Sequence, residues 1–261
     1  MLRYGIEVEG GYSSEVSFDY QREEMDTQGK NVKILKSYDG SAYLGEDFDN
    51  YFYEDEIEFK SSVPIPNTDI EKHIKNWEEL MKRVEFVSSP KTCGLHIHTS
   101  PMGDWENKKY QTFVYNLFFL LVPFAKFFKH RQNQSYCLGN GSFYKLVRFF
   151  TEEFLTQETK YDMIKEYKNS LNIDDDTKRF NARSMIRLTT GKDTVEVRLF
   201  PSKVEFIKPL IKIIDFAYDQ ENLLNASKLI TINIVDILKM VGAEESIEDF
   251  KNYYEEWIKY N

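Results

Sequence analysis

Five stretches of the chain alternate apolar and polar residues with a period of two, the spacing that turns successive side chains to opposite faces of a β-strand. In "YGIEVEGGY" (residues 4–12), Tyr4, Ile6 and Val8 fall on one side and Gly5, Glu7 and Glu9 on the other. "EIEFK" opposes Ile57 and Phe59 to Glu56, Glu58 and Lys60, and "GLHIHTS" opposes Leu95, Ile97 and Thr99 to His96, His98 and Ser100. "RSMIRLTT" sets Ser184, Ile186 and Leu188 against Arg183, Met185 and Arg187, while "DTVEVRLF" sets Val195, Val197 and Leu199 against Thr194, Glu196, Arg198 and Phe200. Gly191 and Lys192 between the last two read as a hairpin. A further strand is expected within "KNVKILKSYDG", followed by an acidic, aromatic loop through "YLGEDFDNYFYED".

Period 3.6 takes over elsewhere. "IEKHIKNWEELMKRV" predicts a helix with Thr68 and Asp69 as candidate caps. A long apolar helix is expected from Trp105 to about Arg131, bent or interrupted at Pro123, with Phe113, Leu117, Leu120, Leu121 and Phe124 in the core. "SFYKLVRFFTEEFL" and "QETKYDMIKEYKNSL" read as helices, and three more begin near Val204, Lys228 and Ile247. The whole chain, 1–261, reads as a single α+β domain with a helical C-terminal region from about residue 203 packed on it.

Composition narrows the class. At 261 residues, 41% apolar and 30% charged, the chain describes a globular protein with a substantial core. A formal charge of -9 argues against a nucleic-acid partner, since phosphate contacts need a basic surface. Cys93 and Cys137 are too few for a disulfide framework or a cysteine-rich zinc site, and Cys93 reads as a small buried thiol. No signal peptide is evident, and the most apolar run, Leu117 to Ala125, falls well short of the roughly 20 residues that span a bilayer. A cytoplasmic protein with no membrane partner is expected. His73 and His130 sit in helical, charged contexts and read as surface residues.

One face of an antiparallel sheet is commonly solvated, so alternation alone is unremarkable. Two histidines at i and i+2 and clustered carboxylates are not explained that way. Glu7 and Glu9 share a face roughly 7 Å apart, given about 3.3 Å of rise per residue. If both ionise in a partly buried site, they repel by about 2 kcal/mol at an effective dielectric near 20, so something opposite must compensate. Glu7, Glu9, Glu58 and Glu196 with His96 suit Mg²⁺ or Mn²⁺, because oxygen donors dominate and no thiolate competes. Arginines on the same faces suggest a phosphate or carboxylate held beside the metal, the equipment of phosphoryl transfer. Without a cation, one of Glu7 and Glu9 is expected to have a raised pKa.

The ordered set "GIEVEGG", "YDGSAY", "EIEFKSSVP", "CGLHIHTSP", "RQNQSYC", "KRFNARS" and "TVEVRLFP" resembles the amidoligases of the glutamine synthetase and γ-glutamylcysteine ligase superfamily of carboxylate-amine ligases. The resemblance covers residues 4 to about 201. It implies a glutamine synthetase-like fold, with a curved, mostly antiparallel sheet whose concave polar face forms the active-site cleft and whose other face carries helices. It further implies a two- or three-metal site, in which Glu7 and Glu9 hold different Mg²⁺ ions, Glu58 joins Glu9, and His96 and Glu196 join Glu7. His98 would lie near the ATP phosphates, Arg198 would hold the transferred phosphoryl group, and Asp39 would help bind a metal or the incoming amine. Arg131 and Arg179 match family positions that contact phosphate or substrate carboxylate. Gly10 and Gly11 are then expected to let the chain turn away beside the ligand.

The implied reaction joins a carboxylate and an amine at the expense of ATP, through an acyl-phosphate. The substrates could be amino acids, peptides, cell-wall fragments or a protein side chain, and oligomeric state is open. The alternatives are a metal-dependent hydrolase built on the His-x-His pair and a non-catalytic nucleotide-binding module.

Overall fold

The computed structural model describes residues 2–15, 24–25, 31–39, 42, 44, 53–90, 92–100, 108–128, 186–189, 194–224 and 232–258. The alternating segments become β1 (Arg3–Ser13), β5 (Tyr53–Ser61), β7 (Gly94–Ser100), β8 (Ile186–Thr189) and β9 (Thr194–Pro201). Between β1 and β5 lie β2 (Glu24–Met25), β3 (Asn31–Val32) and β4 (Ile34–Tyr38), and β6 (Ile65–Pro66) follows β5. The main sheet is open, with strand order β4-β5-β1-β7-β9-β8 and β6 pairing at the start of β1. Every pairing described in it is antiparallel, and β2 with β3 form a separate small ribbon. The molecule is therefore α+β with an antiparallel sheet, as the sequence predicts.

The apolar face carries the helices. Tyr4, Ile6, Val8, Phe59, Leu95, Ile97, Val195 and Val197 are buried there. Over them lie α1 (Ile70–Arg83), α2 (Lys108–Phe127) and α3 (Ile207–Asp219), which buries Ile207, Leu210, Ile211, Ile213, Ile214 and Ala217. Helix α2 packs along α3 and against β9. Two short helices, α4 (Ile234–Met240) and α5 (Ile247–Tyr253), close the core from the C-terminal end, and a single π-helical turn follows α5. Phe250 of α5 stacks on Phe206 with ring centroids 4.6 Å apart. Phe200, Phe124 and Phe128 complete this aromatic knot. One contiguous apolar core thus runs from Leu2 to Tyr253. Among the described residues no helix is long and apolar enough to cross a membrane.

Several expectations are corrected by packing. Pro123 lies inside α2, so of the bend or interruption expected there the interruption is not found, because the helix is buried among aromatic and aliphatic neighbours that hold it together despite the missing amide. The turn at Asn67–Asp69 is 3-10, and Asp69 stands at the start of α1 without a side-chain capping bond. Strand β5 begins at Tyr53, three residues inside the expected loop. His73 is buried rather than at the surface, edge-on to Trp77 and 3.4 Å from Ser61 Oγ. Helix α4 starts at Ile234, capped by the Asn233 side chain, and Lys228 lies outside the described residues. So do His130, Cys137, the hairpin tip at Gly191 and Lys192, and the two helices expected between residues 142 and 171. Cys93 is a buried thiol, as expected.

The two glycines of "EGGY" serve the protein's own backbone. Gly11 and Val87 exchange both backbone hydrogen bonds, at 2.9 and 3.0 Å. A Cβ on Gly10 would sit 2.5 Å from Phe86 Cζ and nearer still to Val87 O, and one on Gly11 would sit 2.5 Å from Glu54 O. The strand continues to Ser13 instead of turning away, and the close approaches are those of the segment after α1 at Gly10 and of β5 at Gly11.

Candidate functional site

Strand pairing, not sequence proximity, assembles the ionisable face. Residues directly opposite in neighbouring strands share a face and come within side-chain contact. Ser37 of β4, Glu58 of β5 and Glu9 of β1 form one row across the sheet. Lys60, Glu7 and His96 form the next, on β5, β1 and β7. Gly5, His98, Glu196 and Arg187 form a third, on β1, β7, β9 and β8. Gly5 contributes no side chain between Glu7 and the third row, which leaves His98 and Glu7 free to meet diagonally.

They do meet. His98 Nε2 lies 3.2 Å from Glu7 Oε1 and 3.9 Å from Glu196 Oε1. His96 Nδ1 lies 3.5 Å from Glu7 Oε2 and 3.7 Å from Glu196 Oε1, and its Nε2 is 3.5 Å from Glu9 Oε1. Glu9, His96 and Glu196 are all buried, with Glu196 only 2% exposed. One ligand atom from each of Glu7, His98 and Glu196 lies within 4.8 Å of the other two, a spacing that could hold a cation.

Arg198 reaches the same carboxylate by way of an irregularity. Between Leu95 and Ile97 of β7, strand β9 advances one residue further, pairing Leu95 with Phe200 and Ile97 with Val197. The extra residue puts Arg198 and Leu199 together opposite His96 and carries Phe200 over to the helix face, where it joins the aromatic knot. The alternation expected for "DTVEVRLF" therefore holds to Arg198 and fails at Phe200. Arg198 Nε stands 3.4 Å from Glu196 Oε1, and Arg187 Nη1 is 3.6 Å from Glu196 Oε2.

Neighbouring side chains answer these carboxylates. Burial pushes the Glu7 carboxyl up, but the imidazoles of His96 and His98 beside it outweigh that and hold it far below the ordinary carboxylate range. Burial pushes the His96 imidazole down, yet Glu9, Glu7 and Glu196 together outweigh burial and Arg198, and its pKa is raised. The expected raised carboxyl is thus not found at Glu7. Histidine compensates the charge there.

Hydrogen-bond accounting separates the face into two halves. Glu9 Oε2 accepts from the Gly94 amide at 2.6 Å, and Glu58 Oε1 accepts from Lys60 Nζ at 2.8 Å and Ser37 Oγ at 3.1 Å. His98 Nδ1 is paired with Thr194 Oγ1 at 3.2 Å, which aims Nε2 at the carboxylates. By contrast, His98 Nε2, Glu196 Oε2 and Arg198 Nε are buried with no hydrogen-bond partner among the described residues. Buried polar atoms without a hydrogen bond are uncommon, and two of the residues that carry them, His98 and Glu196, belong to the cluster with Glu7.

Residues 2–213 match the family model described as "Putative amidoligase enzyme". The chain belongs to this amidoligase family. A search of curated proteins found no match. The family's name is that of amide-bond-forming ligases, and the match spans every strand of the main sheet together with α1 and α2.

Within this member of the amidoligase family the ten residues expected at the site distribute as follows. Glu7, Glu9, Glu58, His96, His98, Glu196 and Arg198 share one sheet face. Asp39 lies just beyond β4, its amide donating to Glu56 O at 2.7 Å, near enough for its charge to help raise the Lys60 pKa. Arg131 and Arg179 lie outside the described residues. Sequence reasoning missed Thr194 as the orienting partner of His98, although it precedes Glu196 by two on the same face. It also passed over Lys60, read as a solvated strand residue, which grips Glu58.

Proposed function

We propose that the protein is an ATP- and Mg²⁺-dependent carboxylate-amine ligase that forms an amide bond through an acyl-phosphate, on a glutamine synthetase-like fold whose ionisable sheet face is the active-site cleft. The observation that carries this reading is the convergence of Glu7, His98 and Glu196 with orphaned, buried atoms on His98, Glu196 and Arg198. Those groups fit a hard divalent cation, since two carboxylates and one imidazole are donors and no thiolate competes. Glu7, Glu196 and His98 would hold the ion, and His96, lying against Glu7, Glu9 and Glu196, would keep the carboxylates in position. When bound, the ion supplies Lewis-acid stabilisation of charge on a phosphoryl group.

The chain's own residues do the rest. Arg198, and Arg187 one strand further, carry permanent charge beside Glu196 and are placed to receive the anionic oxygens of a phosphoryl group. The substrate carboxylate attacks the γ-phosphorus of ATP, ADP leaves, and an amine then displaces phosphate from the acyl-phosphate. Asp39, just beyond β4, would take the proton from the amine. The depth at which Glu9, His96 and Glu196 are buried keeps competing water from the activated acyl group. Among the described residues the hydrolase alternative finds no third imidazole, because His73 is buried against Trp77 on α1.

The test is trapping. With ATP, Mg²⁺, hydroxylamine and a panel of amino acids and peptides, the purified protein should release ADP and form a hydroxamate with at least one acid. ADP release without any hydroxamate, or neither product across the panel, would overturn the acyl-phosphate reading.

A further inference from the structure

The face holds four carboxylates, but they are not equally in need of a cation. Glu9 and Glu58 stand directly opposite each other in the β1–β5 pairing, a like-charge cross-strand pair that is unfavourable unless compensated. Both are compensated from within the protein. Glu9 has the Gly94 amide on one oxygen and His96 Nε2 near the other. Glu58 has Ser37 Oγ and, closest of all, the Lys60 ammonium at 2.8 Å. Lys60 faces Glu7 across the sheet and lies two residues along β5 from Glu58, so its long stem runs along the same face and brings Nζ over Glu58. Its side chain is 39% exposed while Glu58 is only 13% exposed, so the ammonium covers the carboxylate from the solvent side.

At the other end the accounting is reversed. Glu196 Oε2 and His98 Nε2 are buried without a hydrogen bond, their nearest charged groups being Arg187 Nη1 at 3.6 Å and Glu7 Oε1 at 3.2 Å, and ligand atoms of Glu7, His98 and Glu196 lie within 4.8 Å of one another. A divalent ion brought to Glu9 and Glu58 would have to displace an ammonium and stand beside its charge, whereas one brought to Glu7, His98 and Glu196 displaces no lysine and meets atoms on His98 and Glu196 that no hydrogen bond satisfies.

We propose that this chain takes a single tightly held divalent cation, on Glu7, His98 and Glu196, and that the Lys60 ammonium is the resident cation at Glu58, occupying the place of a second divalent ion. The inference rests on the metal-binding part of the proposed function and fixes the number of ions and what replaces the other. It concerns ion binding alone and can be read without turnover.

The experiment is a Mn²⁺ titration of the purified, chelator-treated full chain, with free ion counted by electron paramagnetic resonance. The wild type should bind one Mn²⁺ per chain, with any second event at least tenfold weaker. Lys60→Met should bind a second Mn²⁺ at least tenfold more tightly than the wild type does, with dipolar broadening of the signal from two neighbouring ions. Lys60→Arg, which keeps the charge, should remain at one. Should Lys60→Met fold poorly by circular dichroism, Lys60→Gln serves the same purpose. Two equivalent Mn²⁺ ions in the wild type would overturn the inference while leaving the metal-binding reading intact, as would a neutral Lys60 variant that still binds only one. No Mn²⁺ binding in the wild type or any variant would overturn the metal-binding reading itself, and the inference with it.

Discussion

Glu196→Gln separates the two things that a buried carboxylate can do here, which are to pair with protein cations and to hold an ion. Glu196 faces Arg198 at 3.4 Å and Arg187 at 3.6 Å. At an effective dielectric near 20, each such pair is worth about 5 kcal/mol of Coulomb energy before desolvation. Removing the carboxylate from water costs several kcal/mol in return. Arg187 is about one-third exposed, so solvent screens its share further. The net loss on replacing the charge with an amide of equal shape is then about 1–3 kcal/mol, the scale of leaving buried partners poorly satisfied. For a chain of this size that lowers Tm by roughly 2–4 °C per kcal/mol. Ion binding should respond far more strongly. Losing an outer-shell partner already weakens metal sites about 10–100-fold, and a direct ligand should cost more than about 100-fold.

The assay is thermal unfolding with and without Mn²⁺, beside a direct Mn²⁺ titration. Wild-type Tm should rise with the ion, because binding to the native state alone adds stability. The variant should unfold as a single, modestly destabilised transition that Mn²⁺ no longer moves. A variant that binds Mn²⁺ within tenfold of wild type would refute Glu196 as a ligand. One that does not fold would show that pairing with Arg198 and Arg187 is its main contribution.

Two further predictions concern the scaffold under the site. Tyr4, on the helix face of β1, donates to Asp215 of α3, whose other oxygen accepts from Asn67 at 3.1 Å. Burial, then the Asp215 charge, raises the Tyr4 pKa far above its ordinary value near 10. The stability this represents is complete below pH ~10 and is lost as pH rises further, by up to about 1.4 kcal/mol per unit. Wild-type Tm should fall more steeply than that of Tyr4→Phe between pH 10 and 11, and parallel curves would contradict the assignment. Gly10→Ala should lower Tm by several degrees through a cost of about 2–3 kcal/mol, because the added methyl meets Val87 O and the Phe86 ring, of which the backbone carbonyl cannot step aside. Wild-type stability in that variant would mean that the segment after α1 shifts freely.

Much of the site was legible in the chain because a strand has a two-residue period and the chemistry sits on alternate positions. Glu7 and Glu9, His96 and His98, and Glu196 and Arg198 were each assigned a common face before any pairing was known, and the register puts all of them on one face of one sheet. Phe200 shows where the period fails. A single extra residue in β9 reverses the face of everything beyond it, and no local pattern in "VRLF" announces a bulge. His73 shows the same limit for a helix: its charged sequence neighbours suggest solvent, while Trp77 and Ser61 enclose it.

What the sequence by itself determined is the inventory: which residues alternate, which faces are apolar, and that carboxylates and imidazoles predominate over thiols. Only the tertiary structure decided which of those groups are already satisfied. Pairing β5 with β1 set Lys60 and Ser37 upon Glu58, and pairing β7 with β9 set Thr194 upon His98 while leaving Glu196 Oε2 without a hydrogen bond. The physical reason is that hydrogen bonds and ion pairs act over about 3–4 Å, and strands far apart in the chain reach that distance only through register.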